Sequence, residues 1–170
     1  IIRGLVGSEM CIRDSSSPPC HVMTWSPRGK LLAIGAMFDL LTIYDDDDEE
    51  VYRYCEYTNG WDWIGALGFS NEGDVLAMGG DNYIKLFKFE APPSMRVLHR
   101  ISLEDDQYVD AIEWLPHGYA FVALLSEHSF SDDGYQTMTT VESYQCCLQI
   151  FELPDGAYWH CVRTVNMQPG

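Results

Sequence analysis

The run Asp45-Asp46-Asp47-Asp48-Glu49-Glu50 is the densest concentration of chemically capable side chains in this chain. Carboxylates packed this closely can attract a divalent cation or a basic partner. A calcium loop, however, spaces its ligands and places Gly at a sharp turn, and this run does neither. Adjacent like charges also repel one another, so the run reads as a solvated connector whose pull on basic partners is salt-sensitive.

The other reactive residue types are scattered. His21, His99, His117, His128 and His160 show no metal-ligand spacing among themselves or with the cysteines. Asp62, Asp106 and Asp110 fall at transitions between apolar runs and read as turn stabilisers. Gly79-Gly80-Asp81 is too short for a phosphate cradle and reads as the turn before a strand. With no nucleophile elbow and no nucleophile-base pair, the chain is read as non-catalytic, with no cofactor and no metal site. Cys20, Cys55, Cys146, Cys147 and Cys161, with Cys11 near the start, form no disulfide framework. Cys146 and Cys147 are neighbours on a strand and point to opposite faces, so they cannot share one metal. Small core cysteines in a reducing compartment, cytoplasmic or nuclear, are the economical reading.

Recognition chemistry is easier to find. In Asn59-Gly60-Trp61-Asp62-Trp63, two tryptophans flank an Asp beside a tight turn. Trp is enriched at binding hot spots, so this is either an exposed patch, with Trp61 the more exposed, or a pair packed between neighbouring units. From Glu127 to Gln145 a polar stretch containing Ser129-Phe130-Ser131-Asp132-Asp133-Gly134-Tyr135 reads as a long loop. That loop is either a binding excursion carrying Phe130 and Tyr135 or a tolerated insertion without a role. Ser129, Ser131 and Tyr135 are phosphorylation candidates.

These residues are positioned by a threefold repeat. Trp25-Ser26-Pro27-Arg28-Gly29-Lys30-Leu31-Leu32-Ala33-Ile34-Gly35 is echoed by Phe69-Ser70-Asn71-Glu72-Gly73-Asp74-Val75-Leu76-Ala77-Met78-Gly79. A looser third copy runs Trp114-Leu115-Pro116-His117-Gly118-Tyr119-Ala120-Phe121-Val122-Ala123-Leu124. The turn glycines Gly29, Gly73 and Gly118 lie 44 and then 45 positions apart, the length of a four-stranded propeller blade. Each copy offers strands on both sides of a tight turn. The first predicts strands at Val22–Ser26, Leu31–Ala36, Leu40–Tyr44 and Val51–Tyr57. The second predicts Ile64–Phe69, Val75–Gly79, Tyr83–Phe89 and Met95–Leu103. The third predicts Val109–Trp114, Ala120–Ser126, Cys146–Leu153 and Trp159–Met167. No long stretch has helical period, so the chain is expected to be all-β.

The aromatic-Ser-Pro-x-Gly turn, the Leu-Ala-x-Gly strand, and Asp39 and Asp81 before the third strands resemble the WD40 repeat family, over residues 20 to 168. The resemblance implies a partial β-propeller of about three four-stranded antiparallel blades, near 20–60, 61–106 and 107–168. Its third strands close as Tyr44-Asp45, Phe87-Lys88 and Phe151-Glu152 where the family has Trp-Asp, and no Gly-His dipeptide opens a blade. The third copy has also lost the Asp position.

Residues Leu5 to Ser15, Leu-Val-Gly-Ser-Glu-Met-Cys-Ile-Arg-Asp-Ser, look like a sequencing adapter read in frame. Residues 1–15 are therefore set aside as a non-native leader, leaving 16–170 as the propeller segment. A closed propeller usually has 4–8 blades, so three blades read as an arc of a longer protein whose terminal faces, if expressed alone, would make it associate or dissolve poorly.

Net charge is −16, with 26 acidic against 10 basic residues. In the leader, Arg3 and Arg13 offset Glu9 and Asp14, so setting it aside leaves the balance unchanged. Such acidity repels phosphate backbones, and no direct nucleic-acid binding is expected. No run approaches the ~20 apolar residues of a membrane helix, so no membrane insertion is expected. The expected function is a non-catalytic WD40-like scaffold for multiprotein assembly. Its contacts are expected from Asp45 to Glu50, Trp61, Phe130 and Tyr135, its partners being proteins with basic surfaces and the remaining blades of the full-length chain. The alternative is the propeller portion of an enzyme whose catalytic residues lie elsewhere.

Overall fold

The computed structural model describes residues 19–55, 63–90, 94–104, 107–117 and 119–127, together with the backbone of strands at 146–152 and 160–167. They form three four-stranded antiparallel sheets, each with its strands in sequence order. The first comprises β1 Cys20–Trp25, β2 Leu31–Ala36, β3 Leu41–Asp45 and β4 Glu50–Tyr54. The second comprises β5 Ala66–Phe69, β6 Val75–Gly80, β7 Tyr83–Phe89 and β8 Met95–Ser102. The third comprises β9 Gln107–Trp114, β10 Ala120–Glu127, β11 Cys146–Glu152 and β12 His160–Met167. Strands β1, β5 and β9 lie side by side, so each sheet is a blade with its first strand innermost. The main departure from the sequence-based spans is β4, which ends at Tyr54, with Cys55 outside the strand and 56–57 outside the described residues. Gly118, Cys11 and the leader lie outside the described residues.

The repeated Ser-x-x-Gly block forms the hairpin between the first two strands of a blade. Gly29 N–H donates to Ser26 O at 2.8 Å and Gly73 N–H to Ser70 O at 2.8 Å. Both glycines take positive φ, +66° and +75°, a conformation that side-chain-bearing residues disfavour. The serine closes the hairpin a second time: its hydroxyl accepts Leu31 N–H at 3.0 Å in the first copy and Val75 N–H at 3.1 Å in the second. The third copy has Leu115 there, which keeps the backbone bond to Ala120 O at 2.9 Å but has no hydroxyl to accept the second.

Alternation within β6 and β7 divides the middle blade between two cores. Leu76, Met78, Tyr83 and Phe87 pack toward the first blade, with Leu41, Ile43 and Phe69. Val75, Ala77, Ile84 and Leu86 pack toward the third, with Val109, Trp114 and Phe121. Every residue of β5 and β6 is buried, as expected for a sheet covered on both faces. Gly79 permits the close approach of the third blade, because a Cβ there would fall 2.4 Å from Val109 Cγ1. Backbone bridges Met37↔Trp63 and Asp81↔Tyr108 join each β2–β3 type hairpin end to the next blade.

Candidate docking surfaces

At one end of the blades, the acidic run is a hairpin turn. Asp45 closes β3 and Glu50 opens β4, so the connector proper is Asp46 to Glu49. Asp45 Oδ1 accepts Asp47 N–H at 3.0 Å and Glu49 N–H at 2.9 Å, and Asp45 N–H donates to Glu49 O at 3.0 Å. Asp48 takes a positive φ of 63° to complete the turn. Asp45 therefore works as an internal cap. Glu50 is engaged by Arg53 at 2.6 Å. The side chains of Asp46, Asp47, Asp48 and Glu49 are exposed. Of the six acids singled out by sequence, four present carboxylates that pair with no described residue and two have structural work.

Beside this turn lies a cleft of about 270 Å³ between the first and second blades. Leu31, Val51 and Tyr52 wall it on one side, and Phe89 and Met95 on the other. Nothing in the repeat pattern signalled it, because it depends on two turns from different copies meeting.

The neighbouring corner of the second blade is closed by polar bonds. The carboxylate of Asp74 accepts from Lys88, from Ser70 Oγ at 3.0 Å and from Tyr119 Oη at 2.9 Å. Burial alone would raise this carboxyl's pKa, but the bonds from Lys88, Tyr119 and Ser70 outweigh it and hold the group below its ordinary value. The same bond to Asp74, with burial second, pushes the Tyr119 phenol up.

At the opposite end, aromatic rings from three blades form a row. Trp63 is 42% exposed, its ring 5.2 Å from His21 of β1 and 5.8 Å from Tyr108 of β9. Trp63 thus bridges the inner strands of three blades and stays accessible, whereas sequence left open whether it packs between them. Phe38 is exposed in the turn beside it. Burial, then the carboxylates of Asp81 and Asp110, pushes the Tyr108 phenol well above its ordinary range. His21 is an exposed member of this row. Trp61, Phe130 and Tyr135 lie outside the described residues, as do Asp62, Asp106, His128, Ser129 and Ser131.

Just inside this end is a buried ion pair that sequence reading missed in part. Asp39 sits in the β2–β3 turn with φ 54° and is fully buried. It accepts from the Tyr83 hydroxyl, and Lys85 Nζ approaches its other oxygen at 3.5 Å. Lys85 also lies over the Tyr83 ring at 4.0 Å and near that of Tyr54 at 5.6 Å. The available signal was parity: Lys85 shares a strand face with Tyr83 and Phe87, which places a charge in an apolar seam that must be paired. The pair is enclosed and inter-blade, so it holds blades together.

Among the described residues, no cluster of three or more His, Cys, Asp or Glu side chains could hold a metal ion. Among the described residues, Cys20 and Cys55 are not joined in a disulfide. No helix among the described residues is long and apolar enough to cross a membrane.

No protein-family model matches the chain, and no curated protein matches it. Solved structures do. Two crystal structures of Sqt1 from Chaetomium thermophilum align with TM-score 0.58 and 20% identity, over 79% of this chain and 32% of Sqt1. Sqt1 bound to the N-terminus of the ribosomal protein L10 aligns with TM-score 0.57 and 20% identity, over 79% of this chain and 33% of that one. The chain thus spans about a third of the Sqt1 chains it matches. At this identity the likeness is one of fold: an all-β, WD40-like partial propeller of antiparallel four-stranded blades.

Proposed function

We propose that this chain is a non-catalytic scaffold that docks other proteins on preformed blade surfaces, as part of a longer propeller within a multiprotein assembly. The observation that carries this reading is the acidic hairpin. Asp45 spends its own carboxylate fixing the turn, so Asp46, Asp47, Asp48 and Glu49 are held outward on a rigid support. Charges displayed in this way steer basic partners and bind them without a large ordering cost.

The row of Trp63, His21 and Tyr108 offers a second contact surface at the other end. Trp61, Phe130 and Tyr135 are proposed as further contacts from their sequence setting. That a structure of the same fold has been solved with a ribosomal-protein segment bound supports a protein as the partner class. Cys20 and Cys55, outside any disulfide among the described residues, suit a reducing compartment, cytoplasmic or nuclear. A net charge of −16 argues against direct binding to nucleic acid.

Affinity capture with protein identification tests the reading. The intact chain should recover discrete protein partners, and the Asp46→Asn/Asp47→Asn/Asp48→Asn/Glu49→Gln variant should recover less of the basic ones. Recovery of no partner by the folded chain would defeat the scaffold reading.

A further inference from the structure

The cleft between the first two blades has a feature that the repeat alone would not produce. Lys30 and Asp45, on its rim, occupy the places that Asp74 and Lys88 hold in the second blade. In the second blade that pair is bonded and closes the corner. In the first, Asp45 is turned toward its own hairpin amides, so no equivalent bond crosses the mouth.

The interior left open is apolar and firmly backed. Leu31, Val51, Tyr52 and Phe89 pack against the buried core that joins the first two blades, and the Phe89 ring lies 5.6 Å from Phe69. The rim is acidic on both sides, with Asp46 on one and Glu90 on the other, and among the described residues Lys30 is the one cation lining it. Glu90 is partly offset by Arg96 at 2.7 Å, whereas Asp46, Asp47, Asp48 and Glu49 make no ion pair with a described residue.

We infer that this cleft receives one bulky apolar side chain of a partner polypeptide whose flanking residues are Lys or Arg, seated on the walls of both blades at once. The inference rests on the scaffold reading and assigns it a site and a partner chemistry. The apolar walls supply affinity through buried area. The carboxylates select a basic flank and disfavour an acidic one.

Fluorescence anisotropy on the intact chain tests this with short labelled peptides. One carries a single Phe flanked by Lys and Arg, a second has Ser for the Phe, and a third has Glu for the basic residues. The first should bind, more weakly as salt rises, and the other two at least about tenfold less tightly. Ser94 is exposed and lines the cleft, so Ser94→Trp should fill the mouth without entering the core and weaken the Phe peptide at least about tenfold. Neutralising Asp46 to Glu49 should weaken it several-fold at low salt and flatten its salt dependence.

Equal binding of the Phe and Ser peptides, or binding unchanged by a folded Ser94→Trp variant, would overturn the assignment. So would self-association of the chain that Ser94→Trp abolishes, since that gives the cleft to a second copy. The peptide comparison needs no variant. Because partner recovery is read separately by capture, failure of the cleft and failure of the scaffold reading can be told apart.

Discussion

The indole Nε1–H of Trp114 donates to the carbonyl of Gly68 at 2.8 Å, a bond from the inner strand of the third blade to that of the second. Trp25 and Phe69 hold the same place in their own copies, and Phe69 is likewise buried against the blade before it. Trp114→Phe keeps an aromatic ring but removes the N–H that the Gly68 carbonyl accepts across the blades. It should destabilise the fold by about 1–3 kcal/mol in chemical denaturation. Trp25→Phe should change stability by no more than about 0.5 kcal/mol, since Trp25 is 52% exposed.

That exposure has a second outcome. Met23 and Trp25 lie on the open face of the first blade, where the other copies present a covered one. Sedimentation velocity should show concentration-dependent association of residues 16–170, reduced by Met23→Glu/Trp25→Glu. A monodisperse monomer for the unsubstituted chain would refute this.

The Asp39 and Lys85 pair makes a different claim. Their side chains are 0% and 2% exposed, so removing one charge leaves the other buried without its opposite charge. Asp39→Asn keeps a residue type that tolerates the turn's positive φ yet should cost about 3–5 kcal/mol. Asp39→Asn/Lys85→Met should recover part of that loss. Additive losses in the double-mutant cycle would mean that the two residues do not act as a pair.

The pH dependence follows from Asp74. Its folded pKa lies below the unfolded value of 3.8, so its contribution is fully present well above that pH. The contribution falls away as pH drops through the folded pKa. Denaturation midpoints measured from neutral pH into the acid range should therefore fall more steeply for the unsubstituted chain than for Asp74→Asn. Parallel curves would show that the bonds from Lys88, Tyr119 and Ser70 carry no linkage.

Most of the fold was legible because local chemistry repeats with it. Ser26 and Ser70 sit where a hydroxyl closes a hairpin, and Gly29 and Gly73 where φ is positive, so the blade start can be read without knowing its neighbours. The docking surfaces were legible only in part. The acidic run stood out, but assigning Asp45 to its own turn needs backbone geometry. The cleft pairs Val51 and Tyr52 with Phe89 and Met95 from another copy, and such a meeting of turns leaves no trace in spacing. Lys85 was hidden by being a charged residue among apolar strand neighbours, and the carboxylate that pairs with it comes from another blade.

The most direct test of the docking account is the affinity of a captured basic partner, measured by titration calorimetry across a range of ionic strength. The account predicts that binding to the unsubstituted chain weakens as salt rises. It predicts that Asp46→Asn/Asp47→Asn/Asp48→Asn/Glu49→Gln binds several-fold more weakly at low salt, with a flatter dependence. The same affinity and the same salt dependence in both proteins would contradict it.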